Sequence, residues 1–505
     1  MNRRKVQKGW VLLAWVIVGG YVLPLGIGLA QNLTYTPTPS IPVGRSPQAI
    51  TAGDFNRDGW WDIATVNGTS DDVSVLLGNG NGTFQSAVSF GVGKIPLALI
   101  AEDMDGDGLL DLVVALSGSD QVVVLKGEGT GLFQKLSSQG AGKGTTFLAS
   151  RDINGDGWSD VVAVNSGRFG YYPPFNLAVL LNDGKGGLQA PVTYENEGRD
   201  GMFPTGVVIE DMTGDGKPDL IVTWSQPSWR SPNGLVSMLK NTGDGNFVIY
   251  KELKPGFMLS AIQGADLNHD GLVDLAVTSL FSDTVRILLQ RAGGTFTELD
   301  PIKVGFAPVG VNFGDFDGDH ELDLVVVNRD SNSLSLLLGN GEGLFASAGH
   351  FGVGATPAAV VAQDFDQDQF PDLATPNTNA DSVSVLLSGG GAIPLPSMST
   401  DALVFEIESD HNTPAPSSPQ QMVRLSNIGL GLLRVVDIAI SGTGAGAFSM
   451  AENTCTDVTL HTGDSCTLQV AFTAKSQGTH HATLTIQDNG NGSPRLVVLK
   501  GIVKG

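Results

Sequence analysis

The 505-residue chain is short of histidine (7), cysteine (2) and aromatic residues (7%), and its 29 Lys and Arg are outnumbered by 52 Asp and Glu. Each scarcity narrows the functions open to it. Nucleic acid binding needs Lys and Arg against phosphate, so the acidic balance argues against it. No zinc-ligand spacing, nucleophile elbow or phosphate-cradling glycine motif occurs. General acid–base chemistry draws on a histidine, or on a carboxylate with a displaced pKa in a pocket. Only His269, His320 and His350 precede residue 400. The two cysteines, Cys455 and Cys466, read as one disulfide closing a short loop in an exported chain, with two buried free thiols as the alternative.

What the chain has instead is aspartate at fixed spacing. Residues 103–111, Asp-Met-Asp-Gly-Asp-Gly-Leu-Leu-Asp, carry acids at positions one, three, five and nine and glycine at six. Calcium takes six to eight oxygens at about 2.3–2.6 Å, and a tight loop of alternating carboxylates supplies them around a sharp glycine turn. Seven such loops occur. Position one is Asp54, Asp103, Asp152, Asp211, Asp266, Asp315 and Asp364. Position three is Asn56, Asp105, Asn154, Thr213, Asn268, Asp317 and Asp366. Position five is Asp58, Asp107, Asp156, Asp215, Asp270, Asp319 and Asp368, and position nine is Asp62, Asp111, Asp160, Asp219, Asp274, Asp323 and Asp372. The loop starts lie 49, 49, 59, 55, 49 and 49 residues apart, a period that marks a repeat architecture.

Residues 1–30 read as a signal peptide or an N-terminal membrane anchor. Arg3, Arg4, Lys5 and Lys8 precede an apolar run over 10–30, which is also long enough to span a bilayer. The remainder is expected outside the cytoplasm, secreted or at the cell surface. Without those four basic residues the chain has 25 basic against 52 acidic groups, a net −27, and 24 carboxylates sit at the four loop positions. Seven divalent ions would bring that charge to −13.

Each repeat reads as four strands, a to d. In the second, 96–100 is a, 112–116 is b, 122–125 is c, and a weaker d follows Leu132-Phe133. Short β-branched runs between glycine-rich turns are hairpin signals, and continuous apolar runs suit strands covered on both faces. The expectation is all-β: a seven-bladed β-propeller over 31–391 with the acidic loops joining a to b. After the seventh loop a strand c appears at 382–387, but no d follows. Residues 33–46 supply it, since Tyr35, Val43, Gly44 and Pro47 match Phe84, Val92, Gly93 and Pro96 at a 49-residue offset.

The loops, with Phe90-Gly-Val-Gly-Lys-Ile-Pro96 and Phe351-Gly-Val-Gly-Ala-Thr-Pro357 ahead of them, resemble FG-GAP repeats, also grouped with VCBS-type repeats, which build the propeller of integrin α subunits. The resemblance implies that the Asp, Asn and Thr residues of all seven loops ligate calcium, up to seven ions. His320 and Gln369 replace the sixth-position glycine, a turn that other residues adopt only with strain. Thr213 is a neutral, weaker ligand.

Three insertions interrupt the regular repeats: 167–175, 195–203 and 224–233. They concentrate Tyr171, Tyr172, Trp224, Trp229 and Arg230, with Arg168 and Arg199, in a chain poor in aromatics. Because strand direction alternates, all three fall at the ends of the strands away from the acidic loops. Rings beside arginines are what protein hot spots and sugar platforms use, so these residues are candidate ligand contacts; the plainer reading is that the loops fold back on the rim.

Residues 392–400 form a linker. Over 401–505 short alternating strands suggest a β-sandwich. Leu425-Ser-Asn-Ile-Gly429, the cysteine pair and Ala482-Thr-Leu-Thr-Ile-Gln-Asp488 resemble immunoglobulin-like domains of the abnormal-spindle and hydin type, often called choice-of-anchor modules, which implies a spacer or attachment role.

The function expected is a non-enzymatic, calcium-stabilised extracellular binding or adhesion module whose partner is a protein or glycan, with membrane contact only through the N-terminal segment. Two alternatives stand beside it. One is a secreted propeller enzyme acting on polysaccharide, for which Glu195, Glu197 and Asp200 are carboxylates outside the loops. The other is a purely structural surface protein.

Overall fold

The computed structural model describes residues 33–504 except 168–174, 196–200, 227–233, 257, 390–395, 401, 409–419, 428–432, 457, 461–462, 474–475 and 489–492. Tyr171, Tyr172, Trp229 and Arg230, together with Arg168 and Arg199, therefore lie outside the described residues, as does the apolar N-terminal run. Among the described residues no helix is long and apolar enough to cross a membrane.

Among the described residues up to Ser388 the strands form seven small antiparallel sheets, six of them holding their strands in chain order. The second is typical, with a Pro96–Glu102, b Asp111–Leu116, c Gln121–Gly127 and d Phe133–Gly140. The b strand is buried along its whole length in all seven sheets. Its continuous apolar run follows from packing on both faces. Val113 and Ala115 meet Val161, Ala163 and Leu180 of the third sheet, while Leu112, Val114 and Leu116 meet Ala64, Val66 and Val75 of the first. Each large aliphatic side chain buried this way contributes about 1.5–3 kcal/mol. Burial fades outward, and Val88–Gly91 and Phe133–Gly140 are largely exposed d strands. Pro47, Pro96 and Pro308 open their a strands, and the register slips directly after each, where a residue without an N–H donor is tolerated.

The seventh sheet contains Val361–Gln363, Asp372–Asn377 and Ser382–Ser388, and the N-terminal strands Tyr35–Pro37 and Ile41–Pro42 complete it, pairing Tyr35 with Ser388 and Ile41 with Val383. Its Phe365, Ala374, Val383 and Val385 pack on Ile50, Ile63 and Leu76 of the first sheet. The sheets therefore succeed one another in a closed circuit. The joints repeat as well. Carboxylates or amides in the b–c turns accept the backbone N–H that opens the next sheet: Asp71 from Ile95 at 2.9 Å, Asp120 from Gly144 at 3.0 Å, Asp283 from Ala307 at 3.0 Å and Asn332 from Thr356 at 2.8 Å. Asp381 accepts from Ser46 at 2.8 Å, so the seventh sheet joins the first by the same contact.

The C-terminal residues form two sheets over one core. One contains Pro396–Met398, Gln420–Asn427, Ser465–Phe472 and Phe448–Asn453; the other contains Ala402–Glu408, Arg495–Lys504, Gly478–Asp488, Leu433–Ser441 and Thr459–Leu460. Ala402–Glu408 runs parallel to Arg495–Lys504. Phe405, Phe448 and Phe472 cluster between the sheets with centroids 5.0–5.9 Å apart. Cys455 and Cys466 are joined by a disulfide and lie in this core.

Candidate metal centres

The seven acidic loops connect strand a to strand b in one repeated geometry. The second residue of each loop is a buried apolar anchor: Phe55, Met104, Ile153, Met212, Leu267, Phe316 and Phe365. The first-position carboxylate accepts the N–H of residue six in every loop, from Gly216 to Asp211 at 2.7 Å as from Gly59 to Asp54 at 3.0 Å. The fifth-position carboxylate accepts the N–H of residue seven, again in every loop, as from Phe370 to Asp368 at 2.8 Å. His320 and Gln369 sit at φ +70° and +76°, the left-handed region that glycine occupies in the other loops. Position four is left-handed too, and Arg57, His269 and Gln367 adopt it at +61°, +58° and +65°.

The ninth-position aspartate is the structural centre of each loop. All seven are buried, at most 1% exposed. One oxygen accepts the N–H of the loop's second residue, and the other accepts an N–H from the end of strand c. Asp111 takes Met104 at 3.0 Å and Gly127 at 2.8 Å; Asp323 takes Phe316 and Gly339, both at 2.8 Å; Asp372 takes Phe365 at 2.8 Å and Ser388 at 2.7 Å. This carboxylate staples the loop to two strands of its own sheet. The second-position carbonyl ties it to the next: Met104 O, Ile153 O and Met212 O each accept a side-chain amide at 2.9 Å, from Asn182, Asn241 and Gln290. Phe55 O and Phe365 O accept the backbone N–H of Gly131 and Gly82. Sequence reasoning missed these links, although an apolar residue at position two of all seven loops was a visible signal.

Burial raises the ninth-position carboxyls, and backbone N–H donors only partly offset it. Asp62, Asp111 and Asp274 rise to about 6, Asp372 to about 7 and Asp323 to about 8, and Asp160 and Asp219 move the same way. Neighbouring carboxylates add to the rise, as Asp317 and Asp319 do for Asp323. Burying like charges together is costly unless a cation joins them.

The donor set fits a hard divalent cation. In the loops with four acids, positions one, three and nine bring oxygens within 4.8 Å of one another: Asp103, Asp105 and Asp111; Asp315, Asp317 and Asp323; Asp364, Asp366 and Asp372. In the fourth loop Thr213 Oγ1 is buried without a hydrogen-bond partner, at the place where an oxygen ligand is expected.

Trp224 requires a correction. It is 2% exposed and belongs to the core with Leu177, Leu235 and Phe247, so it offers no open ring to a ligand. Trp224 is the sixth residue of strand Asp219–Ser225, the position that Leu116, Asn165 and Asn328 fill in other b strands, and that position is buried in every repeat. Glu195 is exposed and accepts Asn176 Nδ2 at 3.2 Å; Glu197 and Asp200 lie outside the described residues. His269 pairs with Glu321 at 2.6 Å on the surface, and His350 Nδ1 lies 2.8 Å from Ser335 Oγ.

The chain carries four matches to an FG-GAP-like repeat, over residues 54–114, 152–222, 266–326 and 315–375, and all seven acidic loops fall within them. No curated protein matches the chain in sequence. Among solved structures, a candidate 6-phosphogluconolactonase from Bacteroides uniformis is 14% identical with a TM-score of 0.48, over 68% of this chain and 96% of that one. The periplasmic gluconolactonase PpgL of Pseudomonas aeruginosa is 16% identical with a TM-score of 0.42, over 66% of this chain and 90% of that one. At these values neither protein's activity transfers to this chain.

Proposed function

We propose that this chain of FG-GAP-like repeats is an exported seven-bladed β-propeller holding calcium in its a–b loops, followed by an immunoglobulin-like sandwich, and that it acts as a non-enzymatic extracellular binding or adhesion module. The observation that carries the reading is the sevenfold repetition of one loop geometry around a buried ninth-position aspartate. Residues at positions one, three, five and nine would hold the ion, whose positive charge relieves carboxylates otherwise buried side by side. A disulfide suits an oxidising compartment outside the cytoplasm. The partner, a protein or glycan, is assigned to Tyr171, Tyr172, Trp229 and Arg230 of the sequence insertions 167–175 and 224–233.

The test is a metal analysis of the purified chain together with a glycan and protein-ligand array, run with calcium and with chelator. Bound calcium and a ligand signal that Trp229→Ala or Tyr172→Ala weakens at constant calcium content would support the reading. A chain that holds no calcium and melts at the same temperature in chelator and in calcium would refute it.

A further inference from the structure

Two of the seven loops face a lysine. Just before the residue whose N–H binds the ninth-position carboxylate, in strand c or directly after it, stand Leu77, Lys126, Leu181, Lys240, Leu289, Leu338 and Leu387 in chain order. Five of these are leucines. In the second sheet Lys126 Nζ bridges the third- and fifth-position ligands, pairing with Asp105 and lying 2.7 Å from Asp107 Oδ2. In the fourth sheet Lys240 Nζ lies 3.1 Å from the fifth-position Asp215 Oδ2. The placement is imposed by the strand. Gly127 N and Asn241 N are held at 2.8 Å by Asp111 and Asp219, so each lysine stem leaves the sheet beside the loop rim. In the fifth sheet Arg291, two residues past the position of these lysines, comes only to 4.0 Å of Asp270, beyond hydrogen-bond reach.

An ammonium seated on ligand carboxylates occupies lone pairs that a metal ion would use, and its charge opposes a divalent cation at the same place. Because the ammonium is tethered, it cannot diffuse away when displaced. Leucine at the same position does neither. We infer that Lys126 and Lys240 are built-in counter-ions that compete with calcium, so that the second and fourth loops bind it more weakly than the other five. The fourth loop is weakened further, because Thr213 replaces a charged or amide ligand at position three. The inference rests on the calcium reading above and divides the seven sites into five tight and two weak ones.

The experiment is calorimetric calcium titration of the chelator-stripped full chain, its Lys126→Leu and Lys240→Leu variants, and a Lys126→Met variant that keeps most of the stem. Wild type is expected to show two classes of site; Lys126→Leu should move one equivalent from the weak to the tight class, and Lys240→Leu should strengthen the fourth loop without bringing it fully into the tight class, since Thr213 remains, with affinity rising roughly tenfold or more in each. The variants should also melt earlier than wild type in chelator, where they lose the counter-ion, and at the same temperature in excess calcium. Seven equal sites in wild type, or variants with wild-type affinities and melting behaviour, would overturn the lysine assignment while leaving calcium binding intact. A wild-type chain that takes up no calcium would overturn the calcium reading, and this inference with it.

Discussion

Removing divalent cations and then raising the pH should destabilise the repeat region in a direction that the ninth-position aspartates dictate. A carboxyl raised in the folded chain stabilises it fully below the unfolded value, about 3.9, and that contribution is lost as pH rises through the folded value. Asp323 and Asp372, raised to about 8 and about 7, titrate within a convenient window, and both are 0% exposed, so solvent screens them little. Each group costs about 1.4 kcal/mol per pH unit, so from about pH 5.5 to about pH 7.5 the two together remove roughly 5 kcal/mol from the metal-free chain. For a unit of several hundred residues this is a fall in melting midpoint on the order of 5 °C. Calcium should abolish the fall, because ionised carboxylates are then ligands rather than buried repelling charges. The assay is differential scanning calorimetry at both pH values, in chelator and in excess calcium. A midpoint in chelator that holds level or rises over this window, or that calcium leaves unchanged, would refute the reasoning.

Three substitutions test the architecture. A Cβ at Gly127 would stand 2.2 Å from the carbonyl oxygen of Leu110, so Gly127→Ala should cost about 3 kcal/mol or more in urea unfolding with calcium present. His320→Gly and Gln369→Gly release left-handed strain at φ +70° and +76° and should each stabilise by about 0.5–1 kcal/mol; a loss would mean that the side chains hold the turn. Asn182→Ala removes the 2.9 Å bond to Met104 O and leaves that carbonyl buried, which should cost about 1–3 kcal/mol and speed amide exchange in the second loop, the preceding sheet's, as read by hydrogen-exchange mass spectrometry.

Much of the all-β repeat was legible because its determinants are local. The b-strand runs, such as residues 112–116, need only continuous apolar side chains between turns, and the acidic loops need only their own spacing and glycines. Trp224 stands five residues after Asp219, as Leu116 stands after Asp111, so the repeat register already places it in strand b; the long insertion that follows it drew it into the turn instead. The lysines were unremarked because Lys126 meets Asp105 across 21 residues of chain, through a hairpin register that no local pattern states.

By itself, then, the order of residues determined the period, the strand-forming runs and the oxygen-rich chemistry of each loop, since these depend on neighbours along the chain. Tertiary structure alone decided that Asp62 and its equivalents spend one oxygen on a backbone N–H of their own loop and the other on one at the end of strand c, that Asn182 reaches a carbonyl 78 residues earlier, and that Ser46 closes onto Asp381. Those contacts form only when separate sheets stack at a fixed distance, and that distance is set by the summed packing of all their faces.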